Sequence, residues 1–516
     1  MKTINLFWFK KDLRTFDNEA LNNALKRGNV IPIYVVETDL WKLPDHSSRQ
    51  WEFVRESLID LKNSLNDIGL KLIIRVGNIE DVIKEFMERF HVESIYSHEE
   101  TGNEWTFKRD QSLRNFIKNK SINWNEYRQF GVFRGLKTRK SWSQKWEQHM
   151  SQELINNPKR VNYFINIPSH SLPSSKSLNL NVDKCSHRMQ GGRIQGLNRL
   201  NEFLKYKLDN YQYSLSSPLK AFDGCSRLSP YLTWGCLSIR EVVQAIRETK
   251  KRGSRAIDSR LHWHCHFIQK LESEPELENR EYHPQMTGIR TSNRIFLEAW
   301  SQGLTGIPFI DACMRSLNNH GWINFRMRAM LMSFASYQLW LPWQESGLCL
   351  ARKFIDYEPG IHWTQCQMQS GTTAINTIRI YNPIKQGYDH DPQGIFIRTW
   401  VKELHGLPIK FIHEPWEIDL FRQNDSSFVL GKNYPLPIVD PIISTKTARA
   451  KLKEIRNKPG FFDIANNILE KHGSRKRRKS KLKKNKSNHD VYCLLYTSDA
   501  ADDTPCVDLG GRRIIK

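Results

Sequence analysis

The run INLFWFK (4–10), followed after a helix-like segment by VIPIYVVE (30–37), decides how this chain is read. Both runs are short, almost wholly apolar, and rich in β-branched and aromatic residues. That composition suits strands buried on both faces. LKLIIRV (70–76) and VESIYS (92–97) repeat the pattern, and INWNEY (122–127) offers a fifth strand. Helix-like stretches near 17–27, 51–66, 79–90 and 104–118 separate them. The alternation predicts an α/β domain over 1–135 with a doubly wound parallel sheet. Such sheets take ligands at the carboxyl ends of their strands. No GxGxxG follows the first strand and no GxxxxGK[ST] occurs, so the usual dinucleotide and nucleoside-triphosphate signatures are missing.

Outward from this domain the chain changes character. Residues 166–192 are rich in Ser, Pro and Asn and read as the end of an interdomain connector over 136–192. Beyond it the apolar spacing becomes helical, as in SIREVVQAIRETKKR (238–252) and IPFIDACMRSLNNH (307–320). An all-helical domain is therefore expected over 193–430, with a C-terminal extension over 431–470 and a basic tail over 471–490. Residues 491–516 match nothing in the body of the chain. They read as a non-native, adapter-like read-through that leaves the true C-terminus missing.

Composition narrows the partners. Lys and Arg number 78 against 55 Asp and Glu, a net charge of +23. Residues 471–487 hold ten of those cations and no acid, so the rest of the chain still carries +13. A body that stays basic without its tail fits a polyanion, most simply nucleic acid. The nine cysteines are scattered without a CxxC, against a zinc site, a disulfide framework or a four-cysteine iron–sulfur cluster, and a reducing compartment is the default. No apolar run is long enough for a spanning helix, and MKTINLFWFKKDLR reads as a first strand, not a signal peptide.

Four segments could carry chemistry. GCSRLSPYLTWGCLS (224–238) groups Ser226, Arg227 and Ser229 before an apolar helix, which suits a phosphate or, more simply, a helix cap. GWINFRMRAM (321–330) sets Arg326 and Arg328 in different directions. FIDYEPGIHW (354–363) supplies Asp356 and Glu358, and Arg328 with Asp356 makes a reasonable internal ion pair. DSRLHWHCHFIQKLE (258–272) packs His262, His264 and His266 around Trp263. His262 and His266 share a helical face, but no acidic partner stands at metal-site spacing and HExxH is absent, so no metal is expected. Trp263 is either a platform for stacking a base or a core residue. Trp300, Trp322, Trp340, Trp343 and Trp363 are core candidates that, as a set, could pass an electron by short hops.

Taken together, these segments resemble the photolyase/cryptochrome family over roughly residues 1–425. WFKKDLRTFDNEAL (8–21), GCSRLSPYLTWGCLS, EAWSQGLTGIPFIDACMRSLNNHGW (298–322), FRMRAM (325–330) and RIYNPIKQGYDHDPQGIFIRTWV (379–401) follow in the family's order and approximate spacing. The resemblance implies an N-terminal antenna-type domain and a helical domain that binds FAD in a bent shape. Tyr213 matches the family's aromatic residue before the phosphate loop, and Cys225, Ser226, Arg227, Leu228 and Ser229 match the loop itself, with Cys225 where a Thr is common. Arg328 and Asp356 match the ion pair beside the flavin ring, and Glu358 a second acidic contact. His264, Asn324 and Tyr357 join them as expected cofactor contacts. Trp300, Trp343 and Trp363 match the distal, middle and proximal members of an electron-transfer chain, the last only with a short deletion.

The departures are informative. The asparagine usual near flavin N(5) is not obvious, and His362 falls closest by spacing. The family's active-site glutamate is replaced near Arg260. Asn324 and Phe325 stand where six-four enzymes carry paired histidines. The chain reads as a divergent branch without the iron–sulfur cysteines. The function expected from the resemblance is blue-light splitting of cyclobutane pyrimidine dimers by reduced FAD, which would make the protein a deoxyribodipyrimidine photo-lyase. A cryptochrome-type photoreceptor without repair activity and a six-four repair enzyme are the alternatives. Damaged DNA is the expected partner, with Arg326 on its phosphates and Trp263 against the extruded base. A monomer is expected, in the cytoplasm with the nucleoid, or in the nucleus of a eukaryote. Glu104 resembles an acidic folate contact, for a folate or deazaflavin antenna chromophore in the N-terminal domain.

Overall fold

The computed structural model describes residues 1–473 except 137, 182, 184 and 419–427, so nearly all of the basic tail and residues 491–516 lie outside the described residues. Five parallel strands form one sheet: β1 (Thr3–Phe9), β2 (Val30–Val36), β3 (Ile73–Val76), β4 (His91–His98) and β5 (Asn123–Tyr127), in the order β3-β2-β1-β4-β5. All seven residues of β2 are buried, as expected for a strand covered on both faces. Pro32 sits within it although proline cannot donate to a ladder. The pairing shows why it is tolerated: β1 pairs with residues 30–34, whereas the shorter β3 pairs only with 33–36. Pro32 therefore lies where β2 has one neighbour, and β3 begins three residues later than its apolar run suggests.

Helices α1 (Glu19–Arg27), α2 (Ser48–Asp67), α3 (Ile79–Arg89) and α4 (Glu104–Lys118) cover the sheet. Asn18, Asn78 and Asn103 cap three of them, each accepting from backbone N–H groups of the first turn. The segment after β5 includes a helix, Trp142–Met150, and then runs irregularly back over the N-terminal domain. There Val161 N–H donates to Ile68 O and His170 N–H to Ile74 O.

The second half is helical. Its helices include α5 (Ser229–Thr233), α6 (Ser254–Ser273), α7 (Pro308–His320), α8 (Phe325–Ser333), α9 (Trp343–Lys353) and α10 (Pro359–Ser370), all of which except α7 reach the site described below. Two more, α11 (Pro441–Arg456) and α12 (Phe461–His472), pack beside Met286, Tyr337 and Ala374. Among the described residues no helix is long and apolar enough to cross a membrane.

The two halves share one apolar cluster. It runs from Phe7, Trp41, Trp51 and Phe53 to Tyr231, Trp234, Leu261 and Ile355. Polar anchors reinforce it. Gln50 Nε2 donates to the carbonyls of Ala351 and Phe354, and Arg49 pairs with Asp183 while donating to the carbonyls of Leu317, Asn318 and Lys353. These bonds supply donors to carbonyls in the last turns of α7 and α9 and just beyond α9, where helices run short of backbone N–H partners.

Candidate functional site

A cavity of about 260 Å³ opens among α5, α6 and α8, lined by residues 225–229, Arg260, Trp263, His264, Trp322, Asn324, Arg326, Arg328 and Asp356. A lobe of about 80 Å³ adjoins it, sharing Phe325, Arg328, Asp356 and Ile361 and adding Tyr357, Glu358, His362, Gln365 and Cys366. Arg328 and Asp356 stand between the two. Arg328 Nη1 and Nη2 donate to Asp356 Oδ1 and Oδ2 at 3.0 and 2.9 Å, Nε donates to Ile323 O at 2.8 Å, and the guanidinium lies 4.1 Å over the Phe354 ring. A two-pronged pair of this kind fixes orientation as well as charge.

The loop 225–229 lies on the cavity wall. Arg227 adopts a left-handed conformation (φ 50°), and its guanidinium is held 4.0 Å over Phe222. Burial lowers its pKa to about 10, which leaves it protonated near neutrality. Burial pushes the Cys225 thiol up to about 12, so it adds no negative charge beside a phosphate. Ser229 Oγ accepts from Trp322 Nε1 at 3.2 Å.

Buried polar atoms without a hydrogen-bond partner gather around both lobes. They include Arg227 Nε, His264 Nε2, Asn324 Oδ1 and both amide atoms of Gln365. Each costs roughly 1–3 kcal/mol if nothing answers it. Their chemistry, donors and acceptors around a largely apolar two-lobed cavity with three further guanidinium groups, fits a phosphate-bearing aromatic cofactor such as FAD. His362 borders the smaller lobe, with Nε2 at 2.8 Å from Gly347 O; burial lowers its pKa to about 4, so it is neutral. Gln365 lies on the same face one turn further along α10. Its amide is the group that sequence reading missed, and the i, i+3 spacing from His362 was the available signal.

Other expected contacts fall elsewhere. Tyr213 is 63% exposed and accepts from Arg252 Nη2 at 3.1 Å, whereas Tyr211 lines the cavity. Two residues apart on a helix of four, they face opposite sides, and sequence spacing did not separate them. Glu358 borders only the smaller lobe and lies 3.4 Å from Lys11 Nζ of the N-terminal domain. Burial raises its pKa. Trp263 lines the cavity, half-buried, and stacks on Phe267 with ring centroids 5.7 Å apart. The neighbouring histidines diverge: His262 packs on Trp142 and Trp146, and His266 meets Arg139. Among the described residues no group of three or more His, Cys, Asp or Glu could hold a metal.

Trp343 and Trp363 have ring centroids 5.9 Å apart at 74°. Trp343 Nε1 donates to Glu281 Oε1. Trp300 belongs to the same apolar cluster but is fully buried, not at the surface end that a distal member reducing FAD from outside requires. Trp363 borders neither lobe, whereas Cys366, one turn along α10, does.

At the carboxyl ends of the strands, a cavity of about 40 Å³ is bounded by Trp8, Lys10, Glu37, Trp41, Arg109, Trp234 and Tyr357. Glu104 is not part of its wall. Its carboxylate accepts from Asn279 Nδ2 and pairs with Lys108, while its backbone N–H donates to Glu278 Oε2 at 2.6 Å.

Comparison with known proteins agrees with this layout. Residues 5–134 match the family model described as DNA photolyase, and residues 257–454 the one described as the FAD binding domain of DNA photolyase. The deoxyribodipyrimidine photo-lyase of Escherichia coli is 28% identical, covering 85% of this chain and 96% of that one. A cryptochrome DASH of Synechocystis sp. is also 28% identical, over 87% and 98%. An archaeal photolyase structure from Sulfolobus tokodaii, which holds two FAD molecules, superposes with a TM-score of 0.75 at 26% identity, covering 87% of this chain and 99% of that one. A bacterial class III photolyase from Agrobacterium tumefaciens shares the fold with a TM-score of 0.78 at 24% identity, over 89% and 98%. With a parallel-sheet domain joined to a helical FAD-binding domain in the same order, the chain belongs to the photolyase/cryptochrome family.

Proposed function

We propose that this protein repairs cyclobutane pyrimidine dimers in DNA under blue light. The observation that carries the reading is the two-lobed cavity, in which the Arg328–Asp356 pair is common to both lobes and the loop 225–229 and the half-buried Trp263 line the larger one. Bound FAD, once reduced and excited, supplies the electron that splits the dimer. The chain's own residues do the rest. Ser226, Arg227 and Ser229 hold the diphosphate. Arg328 and Asp356 fix the ring, and His362 and Gln365 present neutral hydrogen-bonding groups to its edge. Arg326 takes a DNA phosphate, and Trp263 packs against the base flipped out of the duplex, which costs a few kcal/mol and least at a damaged step. Trp343 and Trp363 relay electrons that restore the reduced cofactor.

One observation favours the alternative of a photoreceptor without repair. Arg260 lines the cavity where the family's repair enzymes place an acid, so a contact to the lesion is changed. An antenna chromophore belongs at the carboxyl ends of the strands, where the cavity of about 40 Å³ lined by Trp8, Trp41 and Trp234 is the candidate place for a folate or deazaflavin. Illumination of the FAD-loaded protein with dimer-containing DNA separates the readings. Recovery of thymine absorbance is the expected result. A yellow protein that leaves dimers intact turns the reading to the photoreceptor, and a protein unable to take up FAD removes both. An absorption band beyond those of FAD tests the antenna.

A further inference from the structure

Tyr357 links the flavin lobe to the N-terminal domain. It is 2% exposed and borders both the smaller lobe and the cavity at the strand ends. Its hydroxyl stands in the middle of a hydrogen-bond chain. Trp363 Nε1 donates to Tyr357 Oη at 3.0 Å, and Tyr357 Oη donates to Asp45 Oδ2 at 2.6 Å. Asp45 also accepts from Asn103 Nδ2 at 3.4 Å, and its other oxygen faces His46 Nδ1 at 2.8 Å. Burial alone would raise the Asp45 pKa, but His46, Tyr357 and Asn103 hold it well below the usual carboxylate range. A carboxylate is therefore in place, aimed at a phenol that itself touches an indole of the tryptophan pair. The Tyr357 and Trp363 ring centroids lie 6.5 Å apart.

We infer that Tyr357 is a second electron donor to Trp363, beside Trp343, and that Asp45 accepts its proton; the inference rests on the photoreduction reading given above. Trp363 loses one electron to the photoexcited oxidised flavin and becomes a radical cation. Tyr357 then gives one electron to Trp363 and, along the 2.6 Å hydrogen bond, its hydroxyl proton to Asp45. The products are a neutral tyrosyl radical, an intact Trp363 that keeps its N–H, and a carboxylic acid at Asp45. The proton must leave with the electron because a charged phenol in so buried a site is costly. Recombination then waits for that proton to return from the N-terminal domain, which prolongs the reduced state.

Transient absorption and light-induced electron paramagnetic resonance of the FAD-loaded full chain, in H₂O and D₂O, test this. The expected sequence is a tryptophan radical decaying into a tyrosyl radical, more slowly in D₂O. Tyr357→Phe should keep the tryptophan signal, lengthen its life and abolish the tyrosyl signal. Asp45→Asn keeps the phenol but removes the base and should slow tyrosyl formation about tenfold or more. A wild-type tryptophan radical that decays with no tyrosyl signal overturns the inference while leaving photoreduction intact. Complete absence of a tryptophan radical overturns the photoreduction reading, and this step with it. If Asp45→Asn does not fold, the wild-type protein decides, since a decay rate unchanged in D₂O overturns the transfer to Asp45.

Discussion

At Arg328 the argument is most local. Its partner Asp356 is nearly inaccessible, with its side chain 3% exposed, so Arg328→Ala would strand a carboxylate beside the cavity. Breaking a buried pair in this way costs about 3 kcal/mol or more. The variant should lose FAD and unfold at lower denaturant, whereas Arg328→Lys should recover part of the stability but bind FAD less well, because an ammonium cannot make the two-pronged contact. Gln365→Leu should weaken FAD binding with little change in melting temperature, since its amide bonds to nothing else in the protein. Trp343→Phe should slow photoreduction with FAD still bound; an unchanged rate removes Trp343 from the relay. Much of this was legible in the sequence. Arg328 with Asp356 followed from the need of a buried guanidinium for a carboxylate. Tyr211 did not, because choosing between it and Tyr213 needs the rotation of a single turn. The Asp45–Tyr357 contact, 312 residues apart, has no local sequence signal at all.

Between elements, the junction of α4 with the stretch Pro275–Glu278 after α6 makes stability depend on pH. Burial, with Asp45 and Glu104 nearby, raises the Glu278 pKa to about 8, and burial raises Glu272, hydrogen-bonded by Thr101, to about 7. Both folded values lie above the unfolded range. The native state therefore binds more protons between about pH 5 and 8, and stability falls as pH rises through that window. Glu278→Gln keeps an acceptor for the Glu104 N–H and should flatten the slope, by an amount on the order of 1 kcal/mol. Urea midpoints at pH 5 and pH 8 measure it, and equal slopes in wild type and variant would reject the assignment. The strands themselves could be read from sequence because burial on both faces leaves unbroken apolar runs. The late start of β3 could not, since its length is set by what β2 offers as partner.

For the molecule as a whole, charge sets the terms of DNA binding. Affinity for undamaged duplex should fall steeply with salt, and a chain ending at residue 473 should show a shallower slope, because nine of the ten cations of 471–487 are then gone. A slope that does not change would place the contacts wholly on the body. The apolar cluster common to both halves carries a further consequence. Cut free of its N-terminal neighbour, the helical half would present Tyr231, Trp234 and Ile355 to water and strip the carbonyls of Lys353 and Phe354 of the donors Arg49 and Gln50. An excised C-terminal fragment should precipitate or cling to chaperones unless the missing half is supplied in trans. Any change to the cavity at the strand ends has then to be made with the first half kept in place, never by discarding it.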